Sequence, residues 1–216
     1  MAFLNHGLLA LGAYLLGSIP TGFLVAKARG IDIRTVGSGN IGATNALRVL
    51  GKPAGIFVLA MDFLKGWVAC ALLPKLFFTA ELLHTPGVRG KALLMIAALA
   101  AVLGHNYTCW LKFKGGKGIA TSAGVLTALV PWALLIILSL FIIFTALTRY
   151  VSVGSLVASF TLPFATWFTE QHDLTLTIVT GLMGALVIYK HRANIRRLLN
   201  GAESRLSFKR KGDDAP

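Results

Sequence analysis

Three stretches of this chain combine glycine, short polar side chains and cations in a way that suits phosphate. The first runs Gly37-Ser38-Gly39-Asn40-Ile41-Gly42-Ala43-Thr44-Asn45 and ends on Arg48. Small residues let backbone N–H groups approach an anion closely, and a helix starting beyond them adds its positive end. Ser38, Asn40, Thr44 and Asn45 supply short hydrogen-bonding arms, and Arg48 a planar fork matched to phosphate oxygens. The second stretch begins at His105-Asn106-Tyr107, continues through Lys112-Phe113-Lys114-Gly115-Gly116-Lys117-Gly118 and reaches Thr121-Ser122. Its three lysines around two adjacent glycines make an anion cradle, with Lys117 next to a helix start. The third runs from Lys190-His191-Arg192-Ala193-Asn194 to Arg196-Arg197, with Gly201 and Glu203 beyond. On a continuing helix His191 and Asn194, three apart, share one face, while Arg192 and Arg196 on another can meet lipid headgroups.

Some chemistries are excluded. Residues 37–42 have the spacing of a dinucleotide fingerprint, and Asp62 follows at a suitable interval, but no strand precedes them and Asp62 lies in an apolar run. The second stretch lacks the Gly-x-x-x-x-Gly-Lys-[Ser/Thr] order of a nucleotide-binding P-loop. Cys70 and Cys109 are not at metal-ligand spacing, so neither a zinc site nor a disulfide is expected, and no metal or other cofactor is implied.

The elements that carry these stretches are set by hydropathy. The chain has 216 residues, of which 56% are hydrophobic and 13% charged. Soluble domains carry about 25% charged residues. A mean hydropathy of +0.73 makes the bilayer the solvent for most of the chain. The reading is an all-α polytopic membrane protein of about seven helices, near residues 3–25, 53–79, 91–107, 118–130, 132–148, 151–168 and 174–190. The fourth is short for a crossing, and fusing it with the fifth across Pro131 would leave six. Charge favours seven. With the N-terminus outside, most of the 21 basic residues fall on the cytoplasmic side, including those after Lys190, and Glu170 and Asp173 fall outside. That arrangement also explains the net charge of +13 without nucleic acid as a partner.

No Lys or Arg precedes Lys27, so the first apolar stretch is expected to stay as a helix. Gly17-Ser18-Ile19-Pro20-Thr21-Gly22 should loosen that helix, which then needs protein or water around it. Asp62 and Lys65 can pair inside the second helix, either to lock helices together or to serve function. Residues 1–201 read as one membrane domain, and 202–216 as a charged, mobile cytoplasmic tail.

At these same stretches the chain resembles the bacterial acyl-phosphate:glycerol-3-phosphate acyltransferase family. The matching segments are GSIPTG from residue 17, GSGNIGATNALR at 37–48, KFKGGKGIATSAG at 112–124 and HRANIRRLLNGAE at 191–203. The resemblance implies a seven-helix enzyme of the bacterial inner membrane with its active site facing the cytoplasm. Its substrates would be acyl phosphate and glycerol 3-phosphate, its products lysophosphatidic acid and phosphate, and its surroundings membrane lipids. Other glycerol-3-phosphate acyltransferases use a His-x-x-x-x-Asp pair as base, and none of the five histidines here has Asp five residues on.

The expected site then takes Ser38, Arg48, Lys117, His191 and Asn194 as its catalytic set. Gly37, Gly39, Asn40, Thr44, Asn45, His105, Lys114, Gly115 and Gly116 form the phosphate cradle around them. Either His191 or a phosphate oxygen of the donor takes the alcohol proton, and Asn194 orients substrate or stabilises the oxyanion. Two other classes compete: a transporter of small phosphorylated metabolites, and a lipid-anchoring protein without activity. The first would favour internal repeats, which are absent, and the second leaves the glycine-rich stretches unexplained.

Overall fold

A computed structural model of the chain describes residues 2–79 and 88–206. The described residues contain helices and turns and no strand. In lipid a backbone must satisfy its own hydrogen bonds, and helices do so segment by segment.

The first apolar stretch is two helices, α1 (Ala2–Ser18) and α2 (Thr21–Lys27), separated at Ile19-Pro20. A short amphipathic helix, α3 (Ala43–Leu50), leads into α4 (Lys52–Ala71), which is followed by the single turn α5 (Pro74–Phe77). Then come α6 (Val88–Asn106), a 3₁₀ turn at Cys109–Leu111, α7 (Ile119–Leu129), α8 (Pro131–Thr148), α9 (Val151–Thr169), α10 (Leu174–Lys190) and α11 (Arg192–Leu199). Among the described residues five helices are long and apolar enough to cross a membrane, or six if the bent pair α10–α11 counts as one. Helix α7 has 11 residues, roughly 16 Å of rise, about half a hydrocarbon core. It begins directly after Gly118, in the second stretch.

Helix α1 packs on α6, α4 on α7, and α9 on both α8 and α10. Without a hydrophobic drive between helices in lipid, close approach through small residues holds such pairs. A Cβ on Gly66 would collide with the Thr121 carbonyl, and one on Gly124 with that of Phe63, so α4 and α7 touch backbone to backbone. The buried core centres on α6, at Ala97, Ala98, Ala101 and Val102.

The expected tail begins at residue 202. Residues 202–206 fold back on the bundle: Leu206 N–H donates to Arg149 O at 2.8 Å, and Arg205 Nε donates to Tyr150 Oη at 3.1 Å. Residues 207–216 lie outside the described residues.

Candidate active site

Stretches one and three, with both the start and the end of stretch two, meet around one polar cavity of about 130 Å³. Of the residues expected there, Ser38, Asn40, Thr44, Asn45, Arg48, His105, Lys117, His191 and Asn194 line it. Gly37, Gly39, Lys114, Gly115 and Gly116 do not.

Those five have other roles, for physical reasons. Gly37 and Gly39 have positive φ, which turns the first loop, and a Cβ on Gly37 would collide with the Asn45 carboxamide. Gly115 and Gly116 donate their N–H groups to Asn106 O and His105 O at 3.2 and 3.0 Å, so neither amide is free for an anion. The Lys114 side chain is exposed. Asn45 also differs from expectation, because its carboxamide is fully engaged in holding the loop. Its Nδ2 lies 2.9–3.2 Å from the carbonyls of Ile33, Val36 and Asn40, and its Oδ1 accepts from Ser38 N–H at 2.8 Å.

What faces the cavity instead is a pair of helix N-termini. Gly42, Ala43 and Thr44 begin α3, and Gly118, Ile119 and Ala120 begin α7; all six line the cavity. Neither helix has a side-chain cap. Uncapped N–H groups with the helix dipole behind them favour negative charge. Arg48 and Lys117 stand beside them as the cations.

Stretch three does not continue as one helix. It bends by 54° at His191, which ends α10 and begins α11. Asn194, in the first turn of α11, accepts from Lys117 Nζ at 2.5 Å and donates to Glu203 Oε1 at 2.6 Å. Ser152 Oγ also donates to that oxygen, at 2.9 Å, and Arg197 Nε donates to Glu203 Oε2 at 2.7 Å. Arg48 Nη2 donates to the Ser204 carbonyl at 3.0 Å. The segment after α11 therefore holds Arg48 directly and Lys117 through Asn194. Hydrogen bonds from Arg197, Asn194 and Ser152 hold the Glu203 carboxyl below its usual range, against the opposing effect of burial.

Burial pushes the Lys117 ammonium down to about 8, with Arg197 and Arg48 adding repulsion and Glu203 opposing. His191 is held down to about 4, first by burial and then by Lys117. Its Nδ1 lies 2.8 Å from Val187 O, and a carbonyl can only accept, so Nδ1 carries the proton and Nε2 keeps its lone pair.

Asp62, Ser152, Ser155 and Glu203 also line the cavity and were not among the expected site residues. Glu203 had a signal, as the acidic residue closing the third stretch; the two serines, inside an apolar run, had none. A second, apolar cavity of about 390 Å³ lies among α4, α7, α8, α9 and α10. Leu59, Ile119, Ala120, Phe141 and Ser155 line both cavities, so the two adjoin.

Residues 7–201 match the family model described as glycerol-3-phosphate acyltransferase. The glycerol-3-phosphate acyltransferase of Geotalea daltonii is 48% identical over 196 residues, covering 91% of this chain and 95% of that protein. The one from Chlorobaculum tepidum is 42% identical over 221 residues, covering 92% and 95%. Among solved structures, PlsY, an integral membrane glycerol 3-phosphate acyltransferase, superposes in its glycerol 3-phosphate form with a TM-score of 0.82. The identity is 39%, over 94% of this chain and 96% of that one. Its lysophosphatidic acid form gives a TM-score of 0.79 at 38% identity, over 94% and 95%.

Proposed function

Because the chain belongs to the glycerol-3-phosphate acyltransferase family, we propose that its polar cavity performs acyl transfer from an acyl phosphate to the sn-1 hydroxyl of glycerol 3-phosphate. The protein is a membrane acyltransferase that acylates glycerol 3-phosphate to lysophosphatidic acid, at the entry to phospholipid synthesis. The observation that carries the proposal is the adjacency of the two cavities. An anion-binding chamber shares a wall with an apolar one, which matches a donor made of a phosphate joined to a hydrocarbon chain. A transporter of small phosphorylated metabolites has no need of the apolar chamber.

In this reading the N-termini of α3 and α7 hold the two substrate phosphates together with Arg48, Lys117, Ser38 and Asn40. Acyl phosphate is a mixed anhydride with a good leaving group, so positioning and charge stabilisation are the protein's main contribution. The sn-1 oxygen attacks the carbonyl carbon, the bond from that carbon to the phosphate oxygen breaks, and phosphate departs. His191 Nε2 accepts the hydrogen bond of the attacking hydroxyl and orients it. As the new bond forms, the hydroxyl proton passes to the departing phosphate, a stronger base than an imidazole held down to about 4. Asn194 holds Lys117 toward the leaving group. Gly37, Gly39, Asn45, Gly115 and Gly116 build the loops, and Lys114 faces water.

Seven crossings complete the reading, with the N-terminus outside, the C-terminus cytoplasmic and the site at the cytoplasmic face of the bacterial inner membrane. The charge distribution supports this. Lys91 pairs with Glu170 and Asp173, each at 3.5 Å, at the end of the bundle away from the cavity, while the basic stretches gather around the cavity. Purified protein given acyl phosphate and glycerol 3-phosphate should form lysophosphatidic acid and phosphate in equal amounts. Product only with a thioester donor would sink the acyl-phosphate assignment.

A further inference from the structure

Two walls of the polar cavity are joined by a bond between a cation and a neutral acceptor. Arg48 and Glu203 both line the cavity, and Arg48 Nη2 donates at 3.0 Å to the carbonyl of Ser204, the residue after Glu203. Arg48 and Ser204 are exposed, so this bond lies at the rim of the chamber. From there the chain runs on to the start of α9. Arg205 lies over the Tyr150 ring, 5.4 Å from its centroid, and donates to the Tyr150 hydroxyl. The Leu206 N–H donates to the Arg149 carbonyl.

The size of the chamber requires something to yield. A cavity of about 150 Å³ takes one benzene. The polar chamber, at about 130 Å³, is no larger, yet the reaction brings glycerol 3-phosphate and the phosphate head of the donor together there. Most of its wall is packed helix. Of the rest, residues 37–42 are stapled by Asn45, and Lys117 follows Gly115 and Gly116, which are bonded to the end of α6. Glu203 is anchored by Ser152, Asn194 and Arg197. Residues 204–206 differ. None of them belongs to the buried core, and the bonds of Ser204 and Arg205 lie at the surface. Segments held this way open first. An arriving phosphate also offers Arg48 a better partner than a carbonyl, because that pair is charge-assisted and bidentate. Such a difference in affinity is what shifts a segment between two positions.

We propose that residues 204–206 form a bar across the chamber, anchored at Glu203, that swings off α9 to admit glycerol 3-phosphate as Arg48 passes from the Ser204 carbonyl to the incoming phosphate. The inference rests on the acyltransferase reading. It makes the Tyr150 side chain and the Arg149 carbonyl the catch that holds the bar shut.

The test locks the bar. Arg149→Cys with Leu206→Cys, in a chain carrying Cys70→Ala and Cys109→Ala, places thiols where two backbones are hydrogen-bonded, within reach of a short reducible bis-thiosulfonate cross-linker. The linked protein, quantified by mass, should lose about tenfold or more of kcat/KM for glycerol 3-phosphate and regain it with a thiol reductant, because a required opening is blocked. Each single-cysteine chain given the same reagent should keep its activity. A segment that only braces the fold would work as well when linked, since the link reinforces its docked position. Full activity of the linked chain therefore overturns the inference. Should the first pair fold poorly, Tyr150→Cys with Arg205→Cys repeats the lock on side chains 3.1 Å apart. If neither pair cross-links, the bar is not seated on α9 and the inference falls. No lysophosphatidic acid from the wild-type chain would instead overturn the acyltransferase reading, and this inference with it.

Discussion

The first two glycine-bearing stretches look alike as sequence and are held by opposite means. Residues 37–48 are organised around one side chain: Asn45 binds three carbonyls and one N–H of its own loop. Residues 112–118 are organised by backbone, with Gly115 and Gly116 bonded to the end of α6. The first device leaves Ser38, Asn40 and Arg48 facing the cavity; the second turns Lys117 in and leaves Lys112 and Lys114 in solvent. The amides of Gly115 and Gly116 are bonded to carbonyls, and Gly37 and Gly39 do not line the cavity. Glycine serves close packing, and the free N–H groups come from the helix starts that follow. A loop can therefore carry the look of a glycine cradle while the cations and helix starts beside it face the cavity.

Substitutions can break this comparison at its strongest point first. Lys117→Met should lower kcat/KM by about 10³-fold, because it removes a charge-assisted partner of the leaving phosphate from a partly buried site. Arg48→Ala should follow at about 10²-fold, since its guanidinium is shared with the Ser204 carbonyl. Steady-state kinetics on purified protein measure both, and wild-type values for either variant would remove that residue from the site.

Asn45→Ala tests the side-chain staple. It leaves an N–H and three carbonyls of the loop without their partner, so a loss of about 2–4 kcal/mol is expected, read as a lowered Tm or faster thermal inactivation. Gly116→Ala tests the backbone device and should lower kcat/KM about tenfold through the collision with His105. If Asn45→Ala left stability unchanged, the contrast between the loops would fall.

Charge state gives a smaller effect. Lys117, held down to about 8, must be protonated to attract phosphate, so kcat/KM should decline as pH rises through 8. Lys117→Arg should move that decline upward, because guanidinium stays charged. Lys114→Ala should change kcat/KM less than about twofold, as befits an exposed cation. A large loss would return Lys114 to the cradle.

The comparison also shows where the sequence is legible and where it is not. Segment hydropathy reports the helices one by one, since each helix in lipid satisfies its own backbone and needs no partner to declare itself. The break at Ile19-Pro20 was legible for the same local reason: proline lacks a donor. The bend at His191 was not, because spacing alone makes His191 and Asn194 neighbours on a straight helix, whereas packing turns α11 by 54°. One partner of Glu203 was equally hidden, since Ser152 lies far away in the chain and meets it only after α9 and α11 have docked.

Composition and residue order by themselves determined that this chain is a helical membrane protein with three stretches that combine glycine, short polar side chains and cations. Those properties depend on hydropathy and charge, which each residue carries wherever it lies. Only the tertiary structure decided which cations face inward, that Asn45 holds its loop rather than a ligand, that Glu203 closes the site and that Asp62 and His105 enter it. Direction and reach arise from helices packed against one another at close quarters, and no single segment contains that information.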